Sequence, residues 1–289
     1  MRKLLIALSA VMLVTVACQK EASLENPDPT TGGGGGNTPT GQLTRMVLVT
    51  PTDSLAYNLF YDAAGRLIFI DASAISYTEQ VRFKRNASGI IEQIVLKNSG
   101  LQSANIDSVV TRYYYNTAKS RYEYGIFELD ILGATYIDST EFVYNTAGNL
   151  TSRISHAGGT GTQFEPAAML EYTQAGANLN SVKSYSYSGS DWDIDYTINY
   201  SFDSKINPLR LGIETLLIDP YISPAFGLNS SIYFGANNAT VIDYIDPVDP
   251  GENYKITTTY SYNSVDKPAG ATAVESPGNL SSSWRFYYR

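Results

Sequence analysis

The chain has 289 residues, with 20 basic side chains against 28 acidic ones, 1 His and 1 Cys. A single cysteine excludes a disulfide framework, and one His plus one Cys cannot build a structural zinc site of about four ligands. The acidic balance argues against wrapping a nucleic-acid backbone. Any Ser-His-Asp or Cys-His chemistry would have to rest on that lone His or Cys.

Residues 1–18, MRKLLIALSAVMLVTVAC, open with the positive pair Arg2 and Lys3. A mostly apolar run from Leu4 to Val16 follows, then small Ala17 and Cys18. The pattern reads as a secretory signal, too short to cross a bilayer as a helix. With cysteine at the cleavage position it resembles a bacterial lipoprotein signal, although Thr15 stands where such signals usually carry Leu. The resemblance implies removal of 1–17 and lipidation of Cys18, so that the partner of the N-terminus is outer-membrane lipid. Gln19-Lys20-Glu21 resembles the surface-export signal of Bacteroidetes-type lipoproteins, which implies a cell-surface face; a periplasmic face is the alternative. Residues 18–40 include five consecutive glycines and three prolines and read as a tether. As a flexible coil, ~22 residues span about 25 Å.

From Gly41 to Arg289 a single repeat-built domain is expected. Tyr61-Asp62-Ala63-Ala64-Gly65-Arg66-Leu67 recurs as Tyr144-Asn145-Thr146-Ala147-Gly148-Asn149-Leu150, with weaker copies at Asn86 to Gly89, Asn116, Gly176, Asp203 and Asn263. Asp or Asn at the first turn position accepts hydrogen bonds from backbone amides ahead of it, and Gly65, Gly89 or Gly148 supplies positive φ. Each unit is therefore a hairpin, and about eight units predict about sixteen antiparallel strands. The motif resembles the YD repeats related to Rhs proteins, matched most closely at Tyr61 to Leu67. The short stretch Glu165 to Gln174 reads as one or two helical turns.

Alternation along Tyr196, Ile198, Tyr200 and Phe202, and again along Tyr254 to Tyr262, gives each strand one aromatic and one wet face. A flat sheet of that size would expose the aromatic face, so an all-β meander curled into a barrel or a sandwich is expected. So many tyrosine hydroxyls predict a polar, partly hydrated interior.

Few residues carry recognisable chemistry. His156 lies in a Gly-rich stretch expected to be a loop. Asp243, Asp246, Asp249 and Glu252 offer hard oxygen ligands that suit calcium, against the simpler reading of a solvated acidic loop. Asp191, Asp193 and Asp195 alternate on one strand and are expected on a solvated face. Trp192 and Trp284 are the only tryptophans and would stack on sugar rings if exposed. The expectation is a noncatalytic envelope protein without cofactor that binds an extracellular glycan or an envelope partner protein. The alternatives are a purely structural component and, last, a carboxylate-dependent polysaccharide hydrolase.

Overall fold

The computed structural model describes residues 41–131, 134–158, 165–210, 212–218 and 235–289. The expectations for the signal, Cys18 and the tether lie outside them. The strands are β1 (Leu43–Val49), β2 (Ser54–Tyr61), β3 (Leu67–Ser73), β4 (Thr78–Arg85), β5 (Ile91–Asn98), β6 (Val109–Asn116), β7 (Arg121–Ile131) and β8 (Ala134–Tyr144). They continue as β9 (Leu150–Gly158), β10 (Glu165–Ala175), β11 (Asn178–Tyr187), β12 (Trp192–Ile206), β13 (Asn237–Ile245), β14 (Tyr254–Tyr262), β15 (Pro268–Ser276) and β16 (Ser281–Tyr288). Each strand pairs antiparallel with its sequence neighbours, and β1 pairs with β16 to close a barrel. Closure removes both sheet edges, which an open meander would leave unpaired.

Residues 165–174, expected to be helical, are strand β10, hydrogen-bonded to β9 and β11 on its two sides. Two complete ladders outweigh the local helical preference of Ala, Met and Leu. Pro166 is accommodated where the β9–β10 register shifts, between Pro166 and Ala168.

The repeated turns share one geometry. Asp62 Oδ1 accepts from the amides of Ala64 and Arg66, both at 2.9 Å, and Asn86, Asn145 and Asn263 each accept from the equivalent two amides. Hydrogen bonding from the Arg66 amide, ahead of its guanidinium, holds the Asp62 carboxyl below the usual aspartate range. The fourth position has φ of 78° at Gly65 and 82° at Gly148, a region that penalises a β-carbon. Asn116 keeps only part of the pattern, capping the Lys119 amide while Ser120 takes the positive φ. Asp203 departs from it more. Besides the Lys205 amide it accepts from the Asn238 amide and the Tyr262 hydroxyl, tying β12, β13 and β14 together.

Successive hairpins splay apart near these turns, and a side chain bridges the gap. Tyr61 Oη donates to the Leu43 carbonyl at 2.7 Å, Arg85 to Leu67, Gln174 to Leu150 and Tyr288 to Pro268. Tyr61 thus satisfies a carbonyl that the splayed ladder has left free, whereas the hydroxyl of Tyr144, at the same motif position, is buried with no hydrogen-bond partner among the described residues.

The buried cluster is apolar: Met46, Val81, Ile91, Leu179 and Leu217 are fully buried, with Leu, Tyr and Ile the commonest residues around them. Tyrosines face inward, as the alternation predicts: Tyr57, Tyr113, Tyr122, Tyr172 and Tyr200 belong to this cluster, and Tyr61, Tyr115, Tyr144 and Tyr288 pack against it. Stretches of the outer wall are polar. In β4, Glu79, Val81 and Phe83 are buried while Thr78, Gln80, Arg82 and Lys84 are exposed; in β14, Lys255, Thr257, Thr259 and Ser261 face out.

Candidate functional site

A meander of this kind places the turns after β2, β4, β6, β8, β10 and β14 at one end of the barrel, together with both chain termini. Gly41 accepts from Lys267 Nζ at 2.5 Å and Gln42 from the Arg289 amide at 3.2 Å, so the start of the described chain is fixed at this end. The opposite rim carries the connection between β11 and β12 and the Asp246–Asn253 loop.

The connection between β12 and β13 enters the barrel from the end that carries Gly41 and Arg289. Its two-turn 3-10 helix, Gly212–Leu217, lies among the inward side chains. Three wall residues hold it. Arg85 grips Glu214 through two bonds of 2.6 and 2.7 Å, Tyr113 Oη donates to the Leu217 carbonyl, and buried Arg153 lies 3.4 Å from the Leu216 and Ile218 carbonyls. The wall makes room for it: across β7–β11 the inward row is Gly125, Thr140, Ser155, Ala168 and Ser186, all small. Among the described residues, this segment and the buried side chains of the core cluster occupy the lumen, while the inward residues of β14 and β16 are half-buried.

At the far rim, Trp192 pairs in register with Tyr187 on the outer face, ring centroids 5.1 Å apart. Trp284 does not join it. It faces the lumen and stacks between Tyr57 and Phe286, with centroids 6.0 and 6.4 Å away. Just inside the same rim Tyr196, Tyr244 and Tyr254 form a column, the last two stacked at 4.8 Å and 7°. Burial first, then the charges of nearby carboxylates, pushes Tyr244 up to about 12.

The acidic candidates are used locally. Asp246 Oδ1 caps the amides of Val248 and Asp249, Asp249 caps Gly251, and Asp243 lies on β13 opposite Lys255. No three His, Cys, Asp or Glu side chains converge among the described residues. Asp191 and Asp193 are exposed, but Asp195 is not on a freely solvated face; a register shift turns it toward Ser184 and Ser186, whose hydroxyls it accepts at 3.4 and 2.8 Å. His156, expected in a loop, belongs to strand β9, beside Glu141 at 3.7 Å. Pairing with β8 and β10 overrides the neighbouring glycines.

Sequence reasoning overlooked a row on the outer wall, which alternation alone cannot reveal because it runs across strands. Tyr114 and Tyr124 are cross-strand partners with centroids 4.3 Å apart and planes 19° apart, and they are 44% and 40% exposed. Beside Tyr114 the β5–β6 ladder ends at Gln93–Arg112, leaving an open groove lined by Asn86, Glu92, Arg112, Tyr114 and Thr117.

Comparison with protein-family models finds no match, and neither does comparison with curated proteins. Among solved structures, the chain is similar to a porin-like protein from Bacteroides uniformis, with 12% identity over 86% of this chain and 98% of that one and a TM-score of 0.53. A porin-like protein from Bacteroides vulgatus matches with 14% identity over 86% and 99%, at a TM-score of 0.49. The first likeness shows a shared barrel fold.

Proposed function

We propose that the protein is a lipid-anchored component of the outer membrane whose barrel recognises an extracellular glycan without catalysis. The signal-like N-terminus, with Cys18 at the cleavage position, supports the anchor, and the barrel shared with a porin-like protein favours an envelope setting. A wide conducting pore is disfavoured by the segment at Gly212–Leu217, which is held inside the barrel. A transmembrane wall needs an apolar outer band about 25 Å tall, and here Arg82, Arg112, Glu128, Lys183 and Lys255 project from the outer wall instead.

The observation that carries the glycan reading is the Tyr187–Trp192 pair at the rim opposite the tether. Paired rings on a rigid strand present an apolar face at little entropic cost on binding, and exposed Asp191, in the adjoining turn, supplies an acceptor for hydroxyls. The calcium reading of Asp243, Asp246, Asp249 and Glu252 is tested alongside.

Residues 41–289 contain every strand pairing of the closed barrel, so this fragment is suited to a glycan array with and without calcium. The reading predicts a saturable neutral-glycan hit that Trp192→Ala weakens while the fold is kept. A folded fragment that binds nothing would contradict it and favour a structural envelope component.

A further inference from the structure

The outer-wall row extends well beyond the two stacked tyrosines. Following the registers, Tyr124 lies opposite Glu141, and Glu141 opposite Ile154. Ile154 in turn lies opposite Met169, Met169 opposite Tyr185, and Tyr185 opposite Ile194. Two residues along from Tyr185 and Ile194, on the same face, stand Tyr187 and Trp192. The outward positions of β4 and β14 are polar, while exposed Phe60, beside Phe69, and Val274 are apolar elsewhere on the wall; what sets this file of rings and aliphatic side chains apart is its length across neighbouring strands.

We infer that this row is a track for a linear neutral glycan, running from the rim at Trp192 across seven strands to the groove beside Tyr114. The inference rests on the glycan reading above and assigns its path. Three observations fix the class of ligand. First, the row repeats once per strand, about 4.8 Å, roughly the width of one sugar ring, and six such steps give about 29 Å. Second, the terminal groove joins an apolar ring face to Glu92 and Arg112, an acceptor and a donor of opposite charge. That combination suits hydroxyls better than a ligand carrying strong charge of one sign. Third, Tyr114 is braced by Tyr124 at 4.3 Å, so its exposed face is held in place before a ligand arrives. Glu141, in the middle of the row, offers a further acceptor among the apolar contacts.

Cross-strand aromatic pairs also stabilise sheets, so the test needs a readout that sheet stability does not move. The probes are β-linked and α-linked neutral glucose oligomers of two to eight rings, with the 41–289 barrel. A track predicts affinity that rises with chain length and levels off at about seven rings, one per strand crossed. Tyr114→Ala and Met169→Glu should each weaken the longest oligomer about tenfold or more while leaving dimers unchanged, and Tyr114→Trp should restore binding. Unchanged thermal unfolding identifies variants that have kept the fold. Length-independent binding lost only in Trp192→Ala would overturn the track while leaving the glycan reading standing. Absence of binding by any oligomer would overturn both.

Discussion

Arg85, the last residue of β4, and Glu214, on the segment that enters the lumen, meet through two hydrogen bonds although 129 positions separate them in sequence. The Arg85 side chain is 5% exposed and also donates to the Leu67 and Gly89 carbonyls. The same guanidinium thus closes the splay between two hairpins and anchors the lumen filling. Burial works against its charge, and Glu214 more than compensates, leaving Arg85 raised above its ordinary value.

Removing Glu214 leaves that charge buried with carbonyls alone. Breaking a buried pair costs about 3–5 kcal/mol; Glu214 retains some solvent contact, so Glu214→Ala is expected at the low end, about 2–3 kcal/mol. Urea unfolding of the variant checks it, and a change below about 0.5 kcal/mol would contradict an anchoring role.

Gly125 tests the lumen from the wall side. A β-carbon there would meet the Tyr113 ring at 2.8 Å, and Tyr113 is itself tied to the Leu217 carbonyl. Overpacking of this kind costs about 1–3 kcal/mol. Gly125→Ala is expected to lower the unfolding midpoint and to raise amide exchange at Leu216 and Leu217 ahead of the strands around them.

Much of this architecture is legible in the sequence, and the reason is local. Asp62-x-x-Gly65 states a turn in four residues, and its recurrence states the hairpin count. Alternation from Tyr196 to Phe202 states the inner face. What stays hidden depends on distant partners. His156 and Glu165 to Gln174 become strands only because two neighbours pair with each. The roles of the tyrosines are not announced by their abundance, because one packed in the core, such as Tyr57, looks the same in sequence as one that bridges two hairpins, such as Tyr61. The Tyr114-to-Ile194 row is assembled from one residue per strand, a pattern that register creates and spacing does not display. Trp284 and Trp192 are equivalent by composition, yet a lumen-facing ladder position separates them.

That separation gives a prediction. Trp284→Ala removes a ring packed on Tyr57 and Phe286 and is expected to cost about 2–3 kcal/mol, below the range for fully buried tryptophan because it is only partly buried. Trp192→Ala is expected within about 0.5–1 kcal/mol of the parent. Chemical denaturation of both variants separates a packing residue from a surface one.

The turns give another. Nothing lies within 4 Å of a β-carbon at Gly148, whose φ is 82°, so Gly148→Ala should show the conformational penalty alone, about 1 kcal/mol. Asp266 occupies the equivalent position with φ of 59°. Asp266→Gly should relieve strain, although it also removes the ion pair to Lys205; an exposed pair contributes little, so the net change is expected to be neutral or slightly stabilising in the same denaturation assay.

Alkaline pH should unfold the barrel. Burial pushes Tyr61 and Tyr122 up to about 12, above the ordinary value of about 10 for an unfolded tyrosine. The folded state therefore favours the neutral phenol. Its contribution is complete below about pH 10 and is lost as pH rises toward and through about 12. Ultraviolet phenolate titration should show an early group of exposed tyrosines and a late group ionising together with loss of circular dichroism. Ionisation of all 23 tyrosines near pH 10 with the fold intact would contradict the inward assignment.

The proposed lipid-anchored glycan binder requires a barrel whose wall faces water. Thr257 lies near mid-height on β14 and faces outward, and the natural chain has only one cysteine, Cys18. In membranes carrying the full-length Thr257→Cys protein, reaction with a charged, membrane-impermeant maleimide tests the claim most directly. A tethered, water-facing barrel predicts labelling as fast as that of a thiol placed in an exposed turn, such as Ala63→Cys. Protection from the charged reagent, with labelling by a membrane-dissolved one, would show the wall in lipid and contradict the account.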